Sequence, residues 1–195
     1  MTRGIAVLFS LLLSVCTLSA VEKPNIILVM VDDLGYADIS PYGQSKIQTP
    51  SLTKMAEQGM TFTQFYSGVS VCAPSRSSLM EGLHTGHSYI RGNKQNGKVG
   101  GQWPIPKDTV TIAKVLQKAG YTTGMIGKWG LGNSGTTGDP LNHGWDVYFG
   151  YTDQVLAHNY YPDHLLKNGE KIPLKNKTVY LPEKFAGLGS YTPDP

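Results

Sequence analysis

A cysteine and an arginine lie four residues apart in the segment CAPSRSSLMEG, residues 72–82. We predict a helix that begins near Pro74 or Ser75, which places Cys72 at its N-terminus and Arg76 one turn after the cysteine. The positive end of a helix and a nearby guanidinium both stabilise negative charge, either on a thiolate or on a bound anion. Arginine can also donate two hydrogen bonds to one tetrahedral oxyanion. The alternative is a buried free thiol beside a solvated arginine.

A pair of adjacent carboxylates, Asp32 and Asp33, follows the apolar segment NIILVMV at residues 25–31. Two neighbouring carboxylates repel each other, and they stay ionised together most easily beside a cation. Oxygen ligands suit calcium or magnesium, whereas a lone cysteine and scattered histidines do not form a structural zinc pattern. The residues therefore indicate a site for a hard divalent cation. The alternative is that one of the two aspartates caps the following turn.

The elements expected to position these residues alternate between strand and helix. The apolar segment that ends at Val31 predicts a buried parallel strand, and TPSLTKMAEQGM predicts a short helix with Thr49 as N-cap and Gly59 as its stop. Further signals predict a strand over 61–66, a helix over 109–119, a strand over 121–132 and a type I′ hairpin turn at Asn168 and Gly169.

This order indicates an α/β domain with a mainly parallel sheet flanked by helices. Ligand sites in such sheets lie beyond the carboxyl ends of the strands. Asp32, Asp33 and Lys128 all fall at such ends. We therefore expect them to belong to one site.

The first twenty residues, MTRGIAVLFSLLLSVCTLSA, have the pattern of a secretory signal peptide that is cleaved after Ala20. The apolar run is too short to span a bilayer and no later run is longer. We expect residues 21–195 to form one exported domain without a membrane span, located in a periplasm, outside the cell or in a lysosome-like lumen. Cleavage leaves Cys72 without a partner for a disulfide. The formal charge of +3 argues against a nucleic-acid partner.

Beyond these physical signals, CAPSRSSLMEG resembles the sulfatase signature, in which a cysteine is followed by any residue, then Pro-Ser-Arg, a leucine and a glycine. The likeness extends from about residue 25 to 161. The segment ILVMVDDLG is similar to the first metal-binding segment of the family, and YTTGMIGKWGLG is similar to its second signature. The resemblance implies the N-terminal part of a sulfatase catalytic domain with an alkaline-phosphatase-like α/β fold, acting on aryl or carbohydrate sulfate esters.

The resemblance also implies a role for each candidate residue. Asp32 and Asp33 would ligate the divalent metal, calcium in preference to magnesium, and a sulfatase-maturing enzyme would convert Cys72 to formylglycine, which also contacts the metal. Arg76 would steady the hydrated aldehyde and Lys128 would bind the sulfate. One hydroxyl of the hydrate attacks sulfur and displaces the alcohol; the other then loses its proton and expels sulfate, which restores the aldehyde.

The sequence departs from the family pattern at two points. Many sulfatases carry a histidine after Lys-Trp, where this chain has Gly130. The histidines available to take its role are His84, His87 and His158. We favour His158 as a substrate-binding residue. The chain is also shorter than a full sulfatase domain. This predicts a truncated form, for which the alternative function is a non-catalytic fragment that binds sulfated ligands. A phosphoryl-transfer relative of the same architecture would instead carry Ser or Thr in place of Cys72.

Overall fold

The computed structural model describes residues 23–93, 103–154, 156–158 and 162–176. The chain divides into two compact units, Met1–Lys54 and Met55–Pro195. The predicted signal peptide lies outside the described residues. None of the helices in the described part is long and apolar enough to cross a bilayer.

The apolar segment of the first unit differs from its predicted form. The side chains of Ile26–Val31 are between 39% and 88% exposed, and these residues form no strand. A strand is stabilised by backbone hydrogen bonds to a neighbour and by cover on its faces, and the described residues of this unit contain no strand to supply either. Two 3₁₀ turns follow, over Tyr36–Asp38 and Ser40–Tyr42.

The first helix, α1, spans Pro50–Gln58 and contains the boundary between the units. Its first turn is closed by the amide of Thr53, which donates to the carbonyl of Thr49 at 3.0 Å. The predicted start and stop of this helix are therefore confirmed. The predicted strand over residues 61–66 does not form; these residues are exposed, and the rings of Phe62 and Phe65 contact each other instead.

The second unit contains a four-stranded sheet in the order β1-β2-β3-β4. The strands are β1 (Gly124–Lys128), β2 (Val147–Tyr151), β3 (His164–Lys167) and β4 (Glu170–Pro173). The β1–β2 pair is parallel, whereas the β2–β3 and β3–β4 pairs are antiparallel. The predicted turn between β3 and β4 is confirmed, because Asn168 and Gly169 both have positive φ, 51° and 88°.

Two helices accompany this sheet, α2 (Cys72–Glu81) and α3 (Ile112–Lys118), which contact each other. Helix α2 ends at Gly82, whose φ of +64° gives the left-handed C-cap that glycine adopts readily. The side chain of Thr111 caps α3 by accepting a hydrogen bond from the Lys114 amide at 3.3 Å. Short 3₁₀ turns cover Pro140–His143 and Leu156–His158.

The core of the second unit lies where α2 meets the sheet. Its buried apolar residues are Ala73, Met80, Ile90, Ile105, Trp129, Leu131 and Tyr148. Trp129 and Leu131 follow β1 directly and have no exposed surface. Burial of these two residues therefore holds the carboxyl end of β1, where Lys128 lies, against the rest of the unit. The predicted α/β architecture is confirmed, with a mixed sheet in the described residues.

Candidate active site

Cys72 is the first residue of α2 and follows an extended N-cap residue, Val71. The helix begins two residues before the predicted start, so the predicted N-terminal position of the cysteine is confirmed. The thiol is half-buried and free. Asn93 accepts a hydrogen bond from the Ala73 amide at 3.0 Å through its Oδ1, which satisfies one of the donors that a helix start leaves open.

Lys128 and Arg76 both lie at this helix terminus. The Nζ of Lys128, at the end of β1, donates to the Cys72 Sγ at 3.3 Å. The Nη1 of Arg76 donates to the backbone carbonyl of the same lysine. Arg76 is only 8% exposed. The structure therefore brings together the three residues predicted as catalytic, although 56 positions separate the cysteine from the lysine.

Backbone pairing beyond the strand ends fixes the position of Lys128. The amides of Trp129 and Gly130 donate to the carbonyls of Tyr151 and Thr152, at 2.8 and 3.1 Å, which continues the β1–β2 ladder. The indole Nε1 of Trp129 donates to the Gly138 carbonyl at 2.7 Å. A buried indole that also makes its hydrogen bond is a strong anchor. The segment that follows the lysine is thus rigidly held.

The site favours a bound anion. The Lys128 ammonium and the positive end of α2 lie at one thiol, and the Arg76 guanidinium is hydrogen-bonded to the backbone carbonyl of the same lysine. The nearby Tyr148 stays neutral, because burial raises the pKa of its phenol while the charge of Arg76 only partly opposes this rise. Its hydroxyl donates to the Gly127 carbonyl at 3.2 Å. The described surroundings therefore present positive charge and hydrogen-bond donors to a tetrahedral oxyanion.

Gly130 occupies a crowded, left-handed position beside Arg76. Its φ is +75°, and a Cβ at this residue would lie 3.2 Å from the Oε1 of Gln154 and 3.7 Å from the Cδ of Arg76. A side chain here would be strained by this φ and would crowd the Gln154 oxygen, whereas its distance to Arg76 is an ordinary contact. The sequence missed Gln154, because a glutamine in a loop after a strand carries no pattern that predicts burial.

The two candidate metal ligands lie in the first unit. Asp32 and Asp33 form a turn after the apolar segment, are exposed, and Asp33 has a φ of +54°. Two carboxylates fit the hard-cation chemistry predicted for them, but calcium prefers six to eight oxygens. No group of three or more His, Cys, Asp or Glu residues that could hold a metal occurs within the described ranges. Two carboxylates alone fall short of such a shell.

His84, His87 and His158 were considered as substitutes for the family histidine that this chain lacks at position 130. All three are exposed. His84 and His87 lie on loops, and His158 ends the Leu156–His158 turn. His84 accepts a hydrogen bond from the Gly86 amide at 3.0 Å. A histidine that the sequence did not single out, His143, is wholly buried; its Nε2 lies 2.9 Å from the Thr137 carbonyl, and burial lowers its pKa. Its role is structural.

Known proteins share both the sequence and the fold of this chain. The sequence matches the Sulfatase family model over residues 24–180. Arylsulfatase D of Homo sapiens is 40% identical over 138 residues, which cover 66% of this chain and 23% of that protein. Arylsulfatase A of Bos taurus is 42% identical over 136 residues, 68% of this chain and 26% of the relative. The chain thus spans about a quarter of the length of these relatives.

Two solved structures show the same architecture. Ps i-CgsB superimposes with a TM-score of 0.63 and 30% identity, over 80% of this chain and 38% of that one. A structure from work on the metabolism of multiple glycosaminoglycans by Bacteroides thetaiotaomicron gives a TM-score of 0.66 and 30% identity, over 85% and 38% of the two chains. The described fold is therefore that of part of a larger α/β domain. Because the family model covers most of the sequence, the chain belongs to the sulfatase family.

Proposed function

We propose that this chain is the N-terminal part of a catalytic domain that hydrolyses sulfate esters, with Cys72 as the precursor of a formylglycine nucleophile. The observation that carries this proposal is the contact between the Cys72 thiol and the Lys128 ammonium at the start of α2, with Arg76 tied to the same lysine. The residues that the sulfatase signature marks thus converge from two distant segments. Such convergence is what a site built to bind and transfer an oxyanion requires.

Each of these side chains has a separate task. Lys128 holds its ammonium within hydrogen-bond distance of the side-chain atom at the nucleophile position, so it can donate to an oxygen there and offset charge on the transferring group. Arg76 is buried and held through Nη1, which restrains its planar fork. An arginine held in this way binds a tetrahedral anion without first losing its own side-chain freedom.

The cofactor set is consistent with this assignment. Asp32 and Asp33 are two of the oxygen ligands that a calcium ion would use, with magnesium as the alternative. When bound, the metal supplies Lewis-acid polarisation, and the formylglycine made from Cys72 supplies the nucleophilic oxygen. The chain's own contribution is to hold the cationic side chains at the start of α2, where the buried Trp129 anchors the segment that follows Lys128.

We further propose that residues 1–20 are removed as a signal peptide and that residues 21–195 belong to the exported sulfatase domain. A formylglycine-generating enzyme is then the partner that acts on Cys72. N-terminal sequencing of the exported protein should begin at Val21. Recovery of the protein with Met1 or Thr2 at its N-terminus would contradict the signal peptide.

The substrate class is aryl or carbohydrate sulfate esters. One relative, 37% identical over 138 residues, is an N-acetylgalactosamine-6-sulfatase of Rattus norvegicus, and the solved neighbours include Ps i-CgsB in complex with k-i-k-neocarrahexaose. These names favour a sugar sulfate. His158, exposed at the end of its 3₁₀ turn, remains our candidate for a contact with the substrate.

The test is the chemical state of Cys72 together with turnover. Mass spectrometry of the tryptic peptide from protein made in its native host should show formylglycine, and the protein should release sulfate from an aryl or carbohydrate sulfate. Cys72→Ala should abolish release. An unmodified thiol with no sulfate release would overturn the hydrolase proposal and leave the alternative, a fragment that binds sulfated ligands without turnover.

A matched pair of lysine variants tests the site geometry. Lys128→Met should lower sulfate release about 100-fold or more, because it removes a charge aimed at the transferring group. Lys118→Met, on the exposed end of α3, should leave release unchanged. Equal effects of the two variants would show that Lys128 is not part of the machinery.

A further inference from the structure

A buried amide beside Arg76 has no task in the site described above. Gln154 lies two residues beyond Thr152, where the β1–β2 ladder ends, and is only 5% exposed. Its Oε1 is buried and makes no hydrogen bond within the described part of the chain. Buried polar atoms are nearly always paired, so an orphaned one calls for an explanation in function or in an absent partner.

The neighbours of this amide indicate which group can donate a hydrogen bond to its oxygen. The position of a Cβ on Gly130 is 3.2 Å from the Gln154 Oε1 and 3.7 Å from the Arg76 Cδ. Both side chains therefore border the same glycine, which has no side chain to separate them. The guanidinium next to that Cδ is a rigid fork of five N–H donors, and the amide oxygen is an acceptor.

A neutral acceptor has a specific advantage at an anion-binding arginine. A carboxylate in the same place would neutralise the guanidinium and repel a bound sulfate, whereas an amide orients the cation and leaves its charge intact. Gly130 leaves room for the amide, because a Cβ there would crowd the Gln154 Oε1 at 3.2 Å.

We infer that Gln154 is a positioning residue for Arg76: its Oε1 accepts a hydrogen bond from the guanidinium when an oxyanion binds at the start of α2. This rests on the proposed sulfate-binding role of Arg76. Gln154 acts only through the arginine and does not itself contact the transferring group.

A double-mutant cycle on the affinity for inorganic sulfate tests this inference. Gln154→Leu removes the amide at nearly constant volume and should raise the sulfate Kd about tenfold, the size of one hydrogen bond to a charged group. In an Arg76→Ala background the same substitution should change the Kd less than about twofold, because the group it positions is gone. Gln117→Leu, which removes an amide that donates to Asp146, is the control and should leave the Kd unchanged.

The outcomes separate this inference from the proposed function. If Arg76→Ala weakens sulfate binding but Gln154→Leu does not, the positioning role is wrong and the site assignment stands. A tenfold effect of Gln154→Leu that persists without Arg76 would also overturn the positioning role. If neither Arg76→Ala nor Lys128→Met affects sulfate binding, the site assignment fails and the positioning role fails with it.

A spectroscopic measurement gives a second readout that is independent of affinity. In protein with ¹⁵N-labelled arginine, the Arg76 Nε–Hε resonance should be protected from solvent exchange in the presence of sulfate, and Gln154→Leu should remove that protection. Gln154→Met provides the same test if the leucine variant unfolds. Unchanged protection in a variant with a normal unfolding midpoint would overturn the inference.

Discussion

Among the glycines of the described strands β1 and β2, Gly150 has the least room for a side chain. It pairs with Gly127 in the parallel register, and a Cβ on Gly150 would lie 2.1 Å from the Gly127 carbonyl oxygen and 2.7 Å from its carbonyl carbon. Because these are backbone atoms of a paired strand, no side-chain rotation can relieve the clash. Gly150→Ala should therefore force β1 and β2 apart.

The expected loss can be worked out by comparison with two glycines of β1. At Gly127, φ is +115° but the space is open, so Gly127→Ala adds only backbone strain, about 1–3 kcal/mol. At Gly124 the space is also open and φ lies outside the left-handed range, so alanine should be neutral or slightly stabilising, within about 1 kcal/mol. Gly150→Ala adds an overpacking cost of about 1–3 kcal/mol or more to its own strain, about 2–6 kcal/mol in total.

The assay is urea unfolding followed by tryptophan fluorescence, since Trp129 directly follows β1 and is completely buried. A loss of about 2–6 kcal/mol would consume much of a typical domain stability of roughly 5–15 kcal/mol. Gly150→Ala should also reduce sulfate release, because the end of β1 carries Lys128. If Gly150→Ala proves as stable as Gly124→Ala, the described β1–β2 register is wrong.

Three further predictions concern charge. Burial lowers the pKa of His143, so below about pH 6.5 the unfolded chain takes up a proton that the folded site resists. Stability in urea should therefore fall as the pH drops from 6.5. His143→Gln should reduce that dependence on pH. The hydrogen bond from the Thr123 amide is the chief cause of the lowered pKa of Asp146. The ionised carboxylate therefore stabilises the fold above pH 3.8, and this stabilisation is lost on acidification. Asp146→Asn should lower the thermal midpoint at pH 7 and reduce the loss of stability below pH 4. Chelation of calcium should lower the thermal midpoint of the protein but not that of an Asp32→Asn, Asp33→Asn variant; an equal response in both would exclude these ligands.

Local signals in the sequence predicted the elements they belong to. Pro50 and Gly59 mark the ends of α1, and Asn168 with Gly169 sets the hairpin turn, because each depends on the backbone preferences of the residues themselves. The predicted strand over Ile26–Val31 does not form, because a strand depends on partners that are distant in the chain and the apolar pattern names none.

In the site, too, features set by local residues were predictable and features set by distant contacts were not. The sequence placed Cys72 at a helix start and Lys128 at a strand end, and the structure brings the two side chains together. The sequence could not reveal Gln154, because its contact with Gly130 arises only when the chain after β2 folds back beside the end of β1. Nothing in a single loop glutamine distinguishes a buried amide from a solvated one.

The long sequence separation between Cys72 and Lys128 also determines how much time passes during synthesis between the addition of the cysteine and the addition of the lysine. Residues Ala73–Ser78 are buried in the folded unit, so the proposed formylglycine-generating enzyme would have to reach the cysteine before this segment is packed. The lysine follows the cysteine by 56 residues, which a ribosome adding roughly 5–20 residues per second takes about 3–11 s to produce. During that interval the strand that carries Lys128 does not yet exist, so the contact between its ammonium and the thiol cannot form.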